Sequence, residues 1–286
     1  MSFTSIGTAL FIAILAGYGL DSQATPAPAP TAVSAPSLTY ADAADLALAA
    51  PVAAHVRVVR AGALREREAP GVAPGHRRFY VEGDLVSLIR SPAALPARLS
   101  WLVDLPNDSR GRAARLPKRT ELLLLAAPVA GRPGELRLVA PDSQLSYSPA
   151  LAERFRAILR EATGRDPAPR IVAVGRAFHV PGAVPGESET QLFLQTADGR
   201  PVSLSVLRRP GEQPRWAVSL AEMVDESAVA PRPETLLWYR LACGLPRSLP
   251  GQSLSEATRE EAGAIRTDYR FVLDSLGPCT RTRRPG

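Results

Sequence analysis

The sequence predicts an α+β fold in two parts. The first is a small antiparallel β-barrel-like unit of OB or SH3 type, and the second is a four-stranded antiparallel meander packed with helices. Three observations predict it. Between residues 54 and 139, short runs of two-residue period alternate with Gly/Pro-rich turns, as in a small barrel or sandwich. Residues 171–220 carry that period through four further runs. Amphipathic stretches at helical spacing precede and follow the meander.

Residues 1–24, MSFTSIGTALFIAILAGYGLDSQA, read as a signal peptide. Their uncharged core, residues 6–20, is shorter than the roughly 20 residues of a membrane span. Ser22 and Ala24 supply the small residues that a signal peptidase accepts. No Lys or Arg precedes the apolar core, so an inner-membrane anchor at residues 6–20 is the alternative. Residues 25–37, TPAPAPTAVSAPS, form a Pro/Ala linker that favours extended polyproline II. The barrel-like unit is expected over residues 38–147, and the sheet with its helices over residues 148–286.

Thr39 and Asp42 resemble a capping box for a short, alanine-rich helix over residues 40–50. Strands are expected at residues 55–60, 77–90 (bent at Gly83), 97–105, 121–126 and 135–139. Ser148 and Pro149 open a helix whose stripe is Leu151, Phe155, Ile158, Leu159 and Ala162, and Gly164 closes it. In the meander Leu192, Leu194 and Thr196 share a face with Val202, Leu204 and Val206. Asp198-Gly199 between them predicts a type I′ hairpin turn. Pro210-Gly211 turns the chain again into the run from Trp216 to Leu220. A helix is expected over residues 233–243. The last helix is expected to start at a Ser253/Glu256 capping box, bury Ile265, Tyr269, Val272, Leu273 and Leu276, and stop at Gly277-Pro278.

At 286 residues and 45% hydrophobic content, the chain is excluded from the disordered class. The formal charge is +6, and every basic residue except Lys118 is arginine. The arginines mingle with acids, as in Arg65-Glu66-Arg67-Glu68, and form no stripe with interleaved aromatics. That pattern disfavours nucleic acid. Cys243 and Cys279 have neither CxxC spacing nor a nearby histidine, which disfavours a zinc or thioredoxin-like site. Cys243 ends one predicted helix and Cys279 lies just beyond the end of another, and in an oxidising compartment they are expected to form a disulfide.

No GxSxG elbow, P-loop, HExxH or dinucleotide fingerprint occurs, and neither a cofactor nor a metal is expected. Of the three histidines, His55, His76 and His179, the last precedes a loop holding Glu187, Ser188 and Glu189. Folded back, that loop would set Glu187 or Glu189 beside His179 for general base catalysis. A histidine at a strand end also serves without any chemistry. Between two predicted strands lie Arg110, Arg112, Arg115, Lys118 and Arg119, a candidate grip for phosphate, carboxylate or an anionic glycan. A solvated loop in an arginine-rich chain has the same composition. Asp84, Asp104 and Asp108 are candidate carboxylates or plain solvent-face residues, and Trp216, Trp238 and Tyr239 candidate groove or core aromatics. The function expected is that of a periplasmic or secreted, non-enzymatic binding or envelope-assembly protein. Its expected partner is an envelope protein or an anionic glycan. The alternative is an exported hydrolase using His179, Glu187 and Glu189.

Overall fold

The computed structural model describes Met1 and residues 38–220 and 228–283, so the expected signal peptide and linker lie outside the described residues. Val52–Ala63 (β1), His76–Arg90 (β2), Arg98–Pro106 (β3), Glu121–Pro128 (β4) and Glu135–Leu138 (β5) close a five-stranded barrel. β1 pairs with both β2 and β4, β2 with β3 and β4 with β5, all antiparallel, while β3 runs parallel to β5. This circuit, with its single parallel pairing, is the Greek-key order of an OB-type barrel rather than a series of consecutive hairpins. Gln144–Ser146 (β6) adds to β4. The periodicity does not predict β6, because three residues are too few to show a period.

Alternation along the strands fills the barrel. Val56, Phe79, Leu99, Trp101, Leu124 and Leu136 are among the side chains that meet inside it. Gly83 of β2 pairs with Val58, and β1 shifts register there. A Cβ at Gly83 would lie 3.1 Å from both the Arg57 carbonyl and the Trp101 ring, so glycine is what lets the indole in. β4 reads Leu-Leu-Leu-Leu because both its faces are covered. Leu122 and Leu124 point into the barrel; Leu123 and Leu125 point into a second core.

That second core is helical. Tyr40–Ala49 (α1) starts at Thr39, whose hydroxyl accepts the Asp42 N–H at 3.1 Å. Pro149–Thr163 (α2) starts at Ser148, which accepts the Leu151 N–H, and ends at Gly164. Phe155, Ile158 and Leu159 of α2 meet the alanines of α1, together with Leu236 and Tyr239 of Leu236–Gly244 (α3). Each alanine buries little area, but its small side chain permits close helix approach, and Ala43, Ala44 and Ala47 are fully buried. Glu161 of α2 caps α3 by accepting the Leu236 N–H at 2.7 Å.

Ile171–Pro181 (β7), Ser188–Thr196 (β8), Val202–Arg208 (β9) and Arg215–Ser219 (β10) form the separate antiparallel sheet, in sequential order. Its apolar face, including Val174, Leu192, Leu204 and Val206, packs on Ile265, Tyr269 and Val272 of Arg259–Leu276 (α4). Two local expectations change. Asp198 is not among the positive-φ residues and only Gly199 is, at 77°, so the β8–β9 turn is not type I′. Pro201 has no N–H to extend the ladder, and pairing with β8 starts only at Val202, opposite Leu194. The capping box of α4 is Thr258/Glu261 rather than Ser253/Glu256. Ser253 lies in a separate 3-10 turn, Gly251–Leu254, and its hydroxyl donates to the Val174 carbonyl across the core.

Cys243 and Cys279 sit at disulfide-bonding distance, with Cα atoms 5.1 Å apart. The segment beyond Cys279 is strapped across α1. Arg281 Nε donates to Asp45 Oδ2 at 2.6 Å, and Tyr239 Oη donates to Asp45 Oδ1 at 2.5 Å. The Thr282 N–H and hydroxyl donate to Asp42 Oδ2 at 2.9 and 2.7 Å. Arg283 makes a two-pronged contact with Asp142, just before β6. Burial pushes the Asp42 carboxyl up, but hydrogen bonds from Thr282, Thr39 and the Arg283 N–H outweigh it and hold it below its usual range. The Arg283 guanidinium does the same for Asp142.

A depressed native pKa stabilises the fold fully above the unfolded carboxylate range, about pH 4, and that stability is lost as pH falls through the native values. The urea midpoint is therefore expected to decline as pH drops from about 4 toward 2. Asp42→Asn is expected to make that decline shallower; an unchanged slope would remove the strap from the account. Among the described residues no helix is long and apolar enough to cross a membrane.

Candidate functional site

Because side chains alternate along strands, filling the barrel with Phe79, Val81, Leu99, Trp101 and Val103 aims their neighbours outward. Cross-strand register then sets Arg78 opposite Asp104, Tyr80 opposite Leu102 and Glu82 opposite Ser100. β5, parallel to β3, adds Arg137 beside them. Of these, Arg78, Asp104, Tyr80, Leu102, Ser100 and Arg137 line a groove of about 650 Å³, whereas Glu82 is paired with Arg60 outside it. The β1–β2 connection, residues 64–75, stands at one end, where Arg78 Nη1 donates to the Pro70 carbonyl. The β4–β5 connection, residues 129–134, stands at the other, where Ser100 N–H donates to the Gly134 carbonyl.

The polar groups of the groove are arranged in pairs. Arg78 Nε and Nη2 donate to the two oxygens of Asp104 at 2.7 and 2.8 Å. The hydrogen bonds from that guanidinium hold Asp104 below the usual carboxylate range. Arg132 Nη1 lies 3.1 Å from Glu135 Oε2. Arg137 has no ion pair among the described residues, which leaves one uncompensated positive charge, three arginines against two acids. Between the pairs lie Tyr80 and Leu102, the latter 47% exposed. The floor therefore offers an aromatic face, an apolar patch, planar hydrogen-bonding pairs and one cation.

The candidates read from the sequence are distributed as follows. Arg110, Arg112, Arg115, Lys118 and Arg119 are all exposed in the β3–β4 loop, and none lines the groove. The loop braces itself on Asp108, which accepts the Arg110 and Arg112 N–H groups at 2.9 and 2.8 Å and pairs with the Arg112 guanidinium. Arg119 takes a left-handed backbone with φ 69°. Asp84, Asp104 and Asp108 do not converge; each is held by a different arginine, Arg98, Arg78 and Arg112. His55 is buried and stacked on Tyr147 at 3.5 Å, with Nε2 3.4 Å from Glu121. His76 is exposed and contacts the Pro74 carbonyl. Trp216 and Trp238 are half-buried against the core, and Trp238 Nε1 donates to the Leu276 carbonyl.

His179 and Glu187 line one small cavity between the meander and α4. Glu189 points to the other face of β8 and accepts from Gln191 at 2.7 Å. The groups that contact His179 or its hydrogen-bond partner are Thr190 and Asp268. Sequence reasoning had no route to that pairing, since 78 positions separate the two. Tyr80 and Arg137 left a fainter signal, as outward-phase residues on predicted strands. No protein-family model matches the chain, and no curated protein matches it.

Proposed function

We propose that this is an exported envelope protein whose barrel is a non-enzymatic binding module for an anionic glycan. The groove across β2, β3 and β5 carries the reading. Tyr80 is a stacking surface for a sugar ring, Arg78–Asp104 and Arg132–Glu135 offer donors and acceptors to hydroxyls, and Arg137 is free for a carboxylate. OB-type barrels bind oligosaccharides and oligonucleotides on this same face. Nucleic acid is the poorer fit, because strand binding relies on a positive groove with several stacking aromatics, and here one net charge accompanies Tyr80. Export is supported by the apolar leader with its small-residue cleavage pattern and by the cysteine pair, which suits an oxidising compartment.

Calorimetric titration with uronic-acid-containing oligosaccharides tests the reading, with a neutral glycan and a single-stranded oligonucleotide as comparisons. The acidic glycan is expected to bind best. Arg137→Ala is expected to weaken it by about 10- to 100-fold, the cost of one charged hydrogen bond. Tight oligonucleotide binding with a steep salt dependence would overturn the glycan assignment.

A further inference from the structure

At one end of the meander three inward positions carry polar groups, although the rest of that face is apolar: His179 on β7, Thr190 on β8 and Arg208 on β9. They meet Asp268 of α4, which is 1% exposed. Arg208 Nε and Nη2 donate to Asp268 Oδ1 at 2.7 and 2.6 Å, and Thr190 Oγ1 donates to Asp268 Oδ2 at 2.5 Å. A threonine hydroxyl has a single proton, and here Asp268 receives it. The 2.8 Å contact between Thr190 Oγ1 and His179 Nδ1 must then have Nδ1–H as its donor. In the neutral ring this places the lone pair on Nε2, which has no partner among the described residues. The ring lines a cavity of about 360 Å³ together with Glu187, Ser188, Arg208 and Thr267.

We propose that His179 is a general base in this cavity for the hydrolysis of small, neutral acyl esters, with Thr190 and Asp268 as positioning residues. The site is separate from the barrel groove and stands independently of its glycan reading. Nε2 takes a proton from water as the water oxygen bonds to the ester carbonyl carbon. When the tetrahedral adduct collapses, the bond from that carbon to the alkoxy oxygen breaks. The proton passes from Nε2 to the departing oxygen. Ester and water become acid and alcohol, and His179 returns to its neutral form. Midway, the imidazolium keeps its Nδ1–H on Thr190, whose own proton stays directed at the Asp268 carboxylate. Arg208 spends Nε and Nη2 on Asp268, and Nη1 is the donor at hand for the developing oxyanion. The charged groups facing His179 are Glu187 from the β7–β8 loop, Arg208 from β9, and Glu261 and Asp268 from α4. The two glutamates repel anionic substrates, which selects neutral esters.

The test is the hydrolysis of p-nitrophenyl acetate by the full chain, with the unfolding midpoint of each variant measured alongside. His179→Gln is expected to lower kcat about 100-fold, the usual scale for loss of a general base, and His76→Gln to leave it unchanged. Thr190→Val is expected to move the midpoint of the pH–rate profile, and Thr190→Ser to restore it. The nitrogen chemical shifts of His179 are expected to report the Nδ1–H tautomer. Full activity in a folded His179→Gln chain, no saturable hydrolysis by the wild-type chain, or an Nε2–H tautomer would each overturn the assignment.

Discussion

Reduction of the Cys243–Cys279 pair is expected to lower stability by roughly 4 kcal/mol, the loop-closure entropy for a separation of 36 positions. For a chain of this size that corresponds to a fall in Tm of about 8 to 16 °C. The bridge joins the end of α3 to the segment after α4, and that segment carries Arg281, Thr282 and Arg283 onto Asp45, Asp42 and Asp142. The partly exposed Arg281–Asp45 pair contributes little by itself, and the firmer contacts are the Thr282 hydrogen bonds to buried Asp42. With the bridge open, the tail is held only by these non-covalent contacts, so amide exchange is expected to rise at residues 279–283 and at the start of α1. Thermal unfolding of the wild type with and without reductant, and of Cys279→Ser, measures the effect. A Tm indifferent to reductant would show that the bridge constrains nothing. Intact mass from native cells adds the compartment: an exported chain is expected to begin near Thr25 and to be lighter by two hydrogens.

Trp101→Ala is expected to cost about 3 to 5 kcal/mol, the range for emptying a large aromatic site in a core. Trp101 is 2% exposed inside the barrel, against Gly83. Its Nε1 donates to Gln144 Oε1 at 2.7 Å and so ties β6 to the barrel. Trp101→Phe keeps most of the ring and loses the hydrogen bond, for an expected cost of about 1 to 2 kcal/mol. Gly83→Ala makes the opposite error, pressing a methyl group on the indole and the Arg57 carbonyl, and is expected to cost about 1 to 3 kcal/mol. Urea unfolding of the three variants tests the set. A loss below about 1 kcal/mol for Trp101→Ala would mean that the barrel closes without its largest side chain.

The two candidate sites were legible to different degrees, for a physical reason. The groove is built from alternation. Once Phe79 and Trp101 are known to point inward, Tyr80 and Leu102 must point outward. What alternation cannot supply is the neighbour of each strand, so Arg137 reached this face only through the parallel β3–β5 pairing. The exposed cations of residues 110–119 drew attention because they cluster in sequence. Their loop instead braces itself on Asp108 and leaves the groove to other residues. His179 was visible as a residue, but its neighbours were not. Glu189, expected beside it, falls on the opposite face by the parity of β8, while Asp268 arrives from the last helix.

By itself the sequence determined the elements whose signals are local. Ser148-Pro149 starts α2, Gly277 with φ 72° stops α4, and the alternation from Leu192 to Val206 sets which face of the meander is buried. Each depends on backbone dihedrals or side-chain parity within a few residues. Tertiary structure alone decided the rest. The barrel circuit, the burial of α1's alanines and the choice of Thr258 over Ser253 as a cap all depend on partners distant in the chain. Long-range packing and pairing energies decide such questions, and they leave no periodic trace in the sequence for a local reading to find.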